Sequence, residues 1–263
     1  MLSAVFAVVA ASRPMAQRPV AQRPVAQRPA PAPSHPDASV PFRVGETLTY
    51  DVSWSSYLTA GTVTTTVKQK QPSYGSTAYY IVAEARPTVL LSKLYTLYYK
   101  LDTLMDSSTL LSQRGSIYSE EGKRHRFKVT QFDRGARKAF FEYQSTSTVK
   151  DNFPIQDATQ DALSAVYALR AMPLKAGDRL TMPISDDGDL YQLHVDVAGR
   201  ERVKSALGET SAWKLTASLA TNKGETVGRP IALWISDDAR HLPLRMQSEL
   251  AVGAFNLTLR EVR

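Results

Sequence analysis

The sequence predicts a mainly β protein, a strongly curved antiparallel half-barrel or barrel of about eleven strands with one helix packed in its opening. Many short segments alternate apolar and polar residues with a period of two, which is typical of half-buried strands. Short turn-like stretches join these segments, and such connections make neighbouring strands antiparallel. Because so many strands in one sheet must curl or close, a single amphipathic helix can fill the concave side.

The composition is that of an ordinary globular protein with an uneven charge. Of the 263 residues, 43% are hydrophobic and 22% are charged, and the formal net charge is +7. The first 40 residues carry four arginines and one aspartate, so the remainder is only mildly basic. The densest basic run, 123–128, would place its charges on both faces of a strand, so we expect no nucleic-acid partner. The absence of cysteine excludes disulfides, thiol catalysis, cysteine-bound metals and a lipidated N-terminal cysteine.

The N-terminal segment has a composition unlike that of the rest of the chain. Residues 1–11 hold an apolar run that is too short to span a bilayer but fits the core of a truncated signal peptide. This interpretation predicts a periplasmic or secreted protein. Residues 12–40 contain three Ala-Gln-Arg-Pro repeats and predict a disordered, semi-rigid linker. Contact of its arginines with anionic envelope polymer and a plain spacer role both stay open.

Residues 41–263 are predicted to form a single antiparallel β domain. Its first strand, 47–54, alternates apolar and polar residues strictly. The Ala-Gly dipeptide at 60–61 is interpreted as a turn. Turns at 121–122 and 133–135 divide a three-stranded meander, and further strands are predicted at 63–67, 78–85, 94–101, 179–184, 191–197, 213–219, 231–235, 242–250 and 255–259.

The segment 157–172 is interpreted as the helix. Asp157 is predicted as its N-cap, with Gln160 as the second member of a capping box, and a proline ends it. Apolar residues follow at helical spacing. Those expected to face the interior are Leu163, Val166 and Tyr167.

The sequence contains no recognisable catalytic or metal-binding pattern. None of the four histidines has a second ligand at the helical spacing of a metal site. The acidic turn 185–189 lacks the ligand spacing and the final glutamate of an EF-hand. A serine, two aspartates and a histidine at 236–241 are interpreted as a polar hairpin turn. We therefore predict no catalytic residue, no metal ligand and no cofactor.

Three stretches carry a resemblance to a known family. They are Phe-Arg-Val-Gly-Glu-Thr-Leu-Thr-Tyr at 42–50 with Trp54 and Ala-Gly at 60–61, Gln-Asp-Ala-Leu-Ser-Ala-Val-Tyr-Ala-Leu-Arg at 160–170, and Leu-Trp-Ile-Ser-Asp-Asp with Leu-Pro-Leu at 233–244. In this order they resemble the secreted bacterial family named domain of unknown function 3108, over nearly all of residues 41–263. The resemblance implies an envelope location and brings no catalytic residues. The last stretch also resembles a hairpin of periplasmic lipoprotein and lipid carriers, which implies a curved sheet around a hydrophobic cavity.

The leading hypothesis is a non-enzymatic envelope protein, expected to be a monomer, that binds a lipid or other amphipathic ligand in a β-wrapped cavity under the helix. The alternatives are a structural or interaction module with a fully packed core, and an enzyme acting on envelope polysaccharide. A void on the order of several hundred Å³ would favour the ligand, and a filled interior would favour the module. Tyrosine and tryptophan suit such a lining because they combine an apolar ring with a polar group. The residues predicted to line the cavity are Tyr50, Trp54, Tyr98, Leu163, Val166, Tyr167, Trp213 and Trp234.

Overall fold

The structure is a computed structural model that describes residues 36–54, 58–250 and 253–263. The predicted signal peptide, 1–11, and residues 12–35 of the predicted linker lie outside the described residues. The elements are β1 (Thr47–Trp54), β2 (Leu58–Ser73), β3 (Ser76–Pro87), α1 (Val89–Leu94), β4 (Leu97–Asp106), β5 (Ser112–Glu121), β6 (Arg124–Asp133), β7 (Lys138–Gln144), β8 (Thr148–Pro154), α2 (Ala162–Arg170), β9 (Arg179–Asp186), β10 (Asp189–Ser205), β11 (Gly208–Thr221), β12 (Thr226–Ser236), β13 (Pro243–Leu250) and β14 (Gly253–Val262).

All of these strands belong to one antiparallel sheet, in the order β8-β7-β6-β5-β4-β3-β2-β1-β14-β13-β12-β11-β10-β9. Every pairing joins consecutive strands except that of β1 with β14. The predicted mainly β, antiparallel class is confirmed, with 14 strands in the described residues instead of about eleven. β8 has no counterpart among the strands placed by the sequence interpretation, and only alternate residues of it, such as Val149 and Phe153, are partly buried.

The sheet curves around α2, as predicted. Leu163 and Tyr167 of α2 pack in a core cluster with residues of β2, β3 and β4, whereas Leu169 packs in a cluster with residues of β10, β11 and β12. In a flat sheet β3 and β11 would be separated by roughly 30 Å, since neighbouring strands lie about 4.8 Å apart. A helix is only about 10–12 Å wide. It can touch both groups of strands only because the sheet bends into a half-barrel around it.

The two edge strands, β8 and β9, are not paired with each other, so the half-barrel is open between them. The segment before α2 covers part of the β9 edge, because the Gln160 amide donates to Pro183 O (2.9 Å) and the Ser185 amide donates to Gln160 O (2.9 Å). Farther along, Lys128 of β6 forms an ion pair with Asp187 in the turn after β9. Backbone hydrogen bonds of Gln160 and the Lys128–Asp187 ion pair therefore cover part of the opening of the half-barrel.

Helix α2 begins later than the sequence interpretation placed it, so the predicted N-cap, Asp157, is wrong. Asp161 is the N-cap, and its Oδ1 accepts from the amides of Leu163 (2.9 Å) and Ser164 (3.0 Å). The Ser164 hydroxyl in turn accepts from the Asp161 amide (3.1 Å), which completes a capping box. Both aspartates are followed three residues later by a residue that can complete a capping box, Gln160 after Asp157 and Ser164 after Asp161. The second is used because Gln160 is held in extended pairing with β9.

Two further interpretations are corrected at one end of the sheet. Helix α1 was not predicted. The strand predicted at 94–101 begins only at Leu97, after this helix, as β4. The dipeptide 60–61 is not a turn but lies inside β2. Gly61 is needed there because β2 approaches β3 closely, and a Cβ at this position would lie 2.3 Å from Arg86 O.

The end of the predicted linker contacts the sheet. The Ala38 amide donates to Ser107 O (2.8 Å), and Asp37 forms an ion pair with Lys70. The described part of the chain contains no helix long and apolar enough to cross a membrane.

Candidate functional site

Helix α1 is a short helix at one end of the half-barrel. Thr88 caps it, since its Oγ1 accepts from the Leu91 amide (3.4 Å) and its own amide donates to Ala60 O (2.9 Å). The helix ends where Tyr95 becomes extended and donates its amide to Leu91 O (3.0 Å). None of the six helical residues is buried. The backbone of α1 is therefore anchored and Leu91 packs against the core, while the other apolar side chains of the helix are exposed.

The exposed side chains of α1 are large and apolar. Val89 is 76% exposed, Leu90 69%, Leu94 77% and the following Tyr95 50%. We call these four residues the apolar crest. Leu90 and Leu94 are one helical turn apart and share a face. Single exposed apolar residues are common on protein surfaces. A contiguous exposed apolar group of this kind is typical of an interaction site.

A small apolar hollow lies beside α1. Its volume is about 40 Å³, which is close to the space of one water molecule. This is far below the roughly 300 Å³ of a pocket that encloses a small-molecule ligand. The apolar hollow can therefore accept only the tip of a group that lies on the surface. Its lining consists of Val52, Ala60, Gly61, Thr62, Val63, Ala85, Arg86, Pro87, Leu97, Tyr99 and Phe255.

The turn between β5 and β6 lies directly against the crest. The Gly122 amide donates to Thr96 O (2.8 Å). A Cβ at Gly122 would lie 3.1 Å from Cε2 of Tyr95, so the ring packs on the turn. Lys123 and Arg124, both exposed, directly follow the turn residue that contacts Tyr95 of the crest.

A second hollow of about 40 Å³ lies between the two ends of the sheet, next to the first turn of α2. We call it the acidic hollow. Asp161 is satisfied there, because its Oδ2 accepts from the hydroxyls of Thr103 (2.6 Å) and Ser112 while its Oδ1 caps the helix. The residues lining the acidic hollow are Leu101, Asp102, Gly115, Ser116, Ile117, Lys128, Thr130, Phe141, Asp161, Ala162, Leu163, Ser185, Asp186 and Asp187.

Asp186 is the unusual acid of the acidic hollow. Burial and, to a smaller extent, the Asp187 carboxylate raise its pKa from the ordinary 3.8 to about 7, against the opposing charge of Lys128. Asp106, at the far end of β4, shows the reverse. Burial alone would raise the pKa of Asp106, but hydrogen bonds from Ser76, Thr109 and Ser108 outweigh it and lower the pKa to about 2. The Asp186 carboxyl, at the opening of the half-barrel, is therefore still partly protonated near neutral pH.

The C-terminal end of α2 holds a buried ion pair. The Arg170 guanidinium, 0% exposed, donates to both carboxylate oxygens of Glu46 at 2.7 and 3.0 Å. It also donates to His241 O (3.0 Å) and Arg240 O (3.2 Å). Burial would lower the pKa of Arg170, but the hydrogen bonds and charge of Glu46 outweigh it and raise the pKa. Arg170 is therefore permanently charged. We call Arg170, Glu46 and the carbonyls of Arg240 and His241 the Arg170 link.

This link joins the three stretches that carry the family resemblance. Glu46 belongs to the first stretch, Arg170 ends the second, and the carbonyls of Arg240 and His241 lie in the turn between the two parts of the third. His241, with φ of +42°, returns a hydrogen bond from Nδ1 to Arg170 O (2.7 Å). The resemblance thus follows a structural requirement of the fold and identifies no reactive group.

The Ser/His/Asp set at 236–241 is a turn, as interpreted. The Ser236 hydroxyl donates to Asp238 Oδ1 (2.7 Å) and accepts from the Leu242 amide (2.8 Å), while His241 is bonded to α2. The described residues contain no group of three or more His, Cys, Asp and Glu side chains that could hold a metal ion.

The eight predicted cavity residues do not meet around one space. Tyr50 and Trp234 lie in one core cluster with Trp54 packed at its margin, Leu163 and Tyr167 lie in a second, and Trp213 lies in a third. Val166 and Tyr98 are half-buried. Only Leu163 borders either hollow. Their binding of a ligand stays a prediction.

The crest residues were missed by the sequence interpretation. A signal was present, since Pro87-Thr88 is a typical helix start and Leu90 and Leu94 follow at helical spacing. The aromatic residues at 95–99 are typical of strands, and for this reason a strand was predicted at 94–101.

Comparison with solved structures supports the fold. The structure of a β-barrel-like protein of domain of unknown function DUF1849 from Brucella abortus aligns with a TM-score of 0.53 at 12% identity, over 83% of this chain and 97% of that one. Two weaker likenesses, each with a TM-score of 0.34, are to a candidate exported protein with a YmcC-like fold from Bacteroides fragilis (14% identity, 86% of this chain and 99% of that one) and a candidate lipoprotein from Parabacteroides distasonis (9% identity, 87% and 100%).

Comparison of the sequences identifies the family. No curated protein matches this chain significantly. The profile of the family described as protein of unknown function DUF3108 matches residues 49–260, which is most of the chain. That range contains the Arg170 link apart from Glu46, and it contains the whole of α1. The chain therefore belongs to the DUF3108 family.

Proposed function

We propose that this protein is a non-enzymatic protein of the cell envelope that binds lipid at its surface through the apolar crest. The observation that carries the proposal is the exposure of Leu90 and Leu94, 69% and 77%, on a helix whose backbone is capped and anchored. Insertion of such side chains among acyl chains removes apolar surface from water, worth about 25 cal/mol per Å². An anchored helix can offer them without a large ordering cost.

A surface site is favoured over an enclosed one by the packing of the interior. Leu163 and Tyr167 of α2, predicted to border a cavity, are buried in one core cluster, where Tyr167 borders neither hollow and Leu163 borders only the small acidic hollow. Each of the two hollows described above has about 40 Å³, too little for an acyl chain. The proposal therefore keeps the lipid ligand of the sequence hypothesis and moves it from the inside of the half-barrel to α1.

An envelope location supports the same proposal. The apolar run at 1–11 fits the apolar core of a signal peptide, and the Arg/Pro repeats fit a spacer between an export signal and the folded part. A protein placed next to a membrane can use a weak lipid-binding surface, because the effective concentration of lipid is high there.

Vesicle binding tests the proposal. The full chain would be sedimented with vesicles of mixed phosphatidylcholine and phosphatidylglycerol. We expect L90S/L94S to bind at least about tenfold more weakly, because two large apolar side chains are lost from the contact. The matched control is L207S, which changes a 40%-exposed leucine in the β10–β11 turn and should bind like the wild type. Equal binding by L90S/L94S and the wild type would contradict the proposal.

A second candidate is a structural or interaction module with a packed core. The small size of both hollows favours it. The same experiment separates the two functions, since a module without lipid affinity would not sediment with any vesicle.

A further inference from the structure

The carboxylates around the crest are already paired with neighbouring groups. This matters because an unpaired carboxylate there would repel anionic lipid. Glu84 is paired with Arg86 and Tyr98, and Glu121 with Arg126 and Tyr99. Glu120 accepts from the Tyr118 hydroxyl and lies 3.8 Å from His125, which offsets its charge only when protonated.

Three cations beside the crest have no such partner. Lys93, Lys123 and Arg124 are exposed, and no carboxylate of the described residues lies within 4.0 Å of their charged atoms. We call these three residues the basic rim. The cations near the crest therefore outnumber the carboxylates, and this end of the sheet carries a net positive charge.

The basic rim and the apolar crest form one surface. Lys93 lies on α1 immediately before Leu94, in the last turn of the helix. Lys123 and Arg124 follow Gly122, on which the Tyr95 ring packs. Charged groups that flank exposed leucines in this way match the boundary of a bilayer, where phosphates lie just outside the acyl chains.

We propose that the basic rim recognises the phosphate groups of anionic lipids, so that the crest binds anionic bilayers in preference to neutral ones. This inference rests on the proposed function and specifies its ligand class. Lys and Arg side chains supply the charge, and the long aliphatic stems let them reach the phosphates while the leucines insert. Each cation contributes about a fivefold increase in affinity for an anionic surface.

The test compares two vesicle compositions and two triple variants of the full chain. The wild type should bind vesicles containing phosphatidylglycerol far more tightly than vesicles of phosphatidylcholine alone. The variant K93Q/K123Q/R124Q should lose on the order of a hundredfold of that binding and most of its salt dependence, and should keep the weak binding to neutral vesicles. The control R43Q/K175Q/K204Q removes the same charge from exposed residues at the opposite end of the sheet and should retain most of the preference. Urea midpoints confirm that each variant is folded.

The outcomes separate this inference from the proposed function. Equal binding of the wild type to both compositions overturns the anionic selectivity. Equal losses in the two triple variants overturn its assignment to the basic rim. Both outcomes leave lipid binding intact. No binding to either composition overturns both. A third arm adds inorganic phosphate at an ionic strength matched with chloride. Specific release by phosphate would overturn the assignment to lipid headgroups and identify a site for free phosphate.

Discussion

Helices α1 and α2 both begin with a side-chain cap, but they differ in what surrounds them. In α2 seven of nine residues are buried, and polar contacts tie both of its ends to the sheet. In α1 no residue is fully buried, and it is held by backbone contacts, the Thr88 cap and the partly buried Leu91, which packs against the core. The difference indicates that α2 serves the stability of the half-barrel, whereas α1 is free to serve an interaction.

The largest effect is expected from breaking the Arg170 link. R170M leaves the Glu46 carboxylate buried without its partner, so the free energy of unfolding should fall by about 3–5 kcal/mol. Urea unfolding measures it. The control is R229M, whose partner Glu249 is 65% exposed, and a loss below about 1 kcal/mol is expected there. Similar losses in both variants would contradict the structural importance of α2.

The next effect concerns the start of α2. D161A removes the cap and leaves the hydroxyls of Thr103 and Ser112 without their acceptor, so a loss of about 2 kcal/mol is expected. D157A, at the N-cap position that the sequence suggested, should change stability by less than about 0.5 kcal/mol. The reverse order in urea unfolding would show that the helix begins at the earlier aspartate.

Asp186 provides a smaller, pH-dependent effect. Its folded-state pKa of about 7 lies above the ordinary 3.8, so the stability linked to its proton is complete below about pH 4 and is lost as the pH rises through 7. D186N removes this loss and should be more stable than the wild type by about 1 kcal/mol at pH 8, because the carboxyl keeps some contact with water. The two proteins should be nearly equal at pH 4. Unfolding measured from pH 3 to 8 tests it.

D106N is the matched control for that series, since the pKa of Asp106 is lowered to about 2. The stability linked to this carboxylate is present above about pH 4 and is lost as the pH falls towards 2. D106N should therefore be less stable than the wild type at pH 7, with the gap closing in acid. A D186N profile parallel to that of the wild type would contradict the raised pKa.

The smallest effect on stability is expected for the crest. L90S/L94S removes side chains that are already in water, so the free energy of unfolding should change by less than about 0.5 kcal/mol. L169A in α2 should lose about 2–5 kcal/mol because it leaves a cavity in the core. A large loss for the crest variant would mean that α1 is part of the core.

The features that could be predicted from the sequence are those with a local cause. Alternation along β1 and apolar spacing along α2 depend only on neighbouring residues, so the antiparallel class and the burial of Leu163 and Tyr167 could be predicted. The true N-cap could not, because Asp157 and Asp161 offer equivalent local patterns and pairing with β9 decides between them.

Features that depend on distant contacts could not be predicted. Nothing near Glu46 or Arg170 in the chain indicates that they meet, since the curvature of the sheet brings them together. The exposure of Leu90 and Leu94 is of the same kind. Leucine at helical spacing usually indicates a buried face, and only the folded arrangement leaves this one outside.

The pairing of β1 with β14 has a consequence for the order of folding. Twelve of the thirteen strand pairings are hairpins between consecutive strands, which can form locally and early. The remaining one, in which Thr47 and Arg263 exchange backbone hydrogen bonds of 3.0 and 2.9 Å, joins opposite ends of the described chain. Its loop-closure entropy must be overcome before it stabilises anything. The protein should therefore fold as two separate meanders, β1 to β8 and β9 to β14. Formation of the β1–β14 pairing that joins them should limit the folding rate.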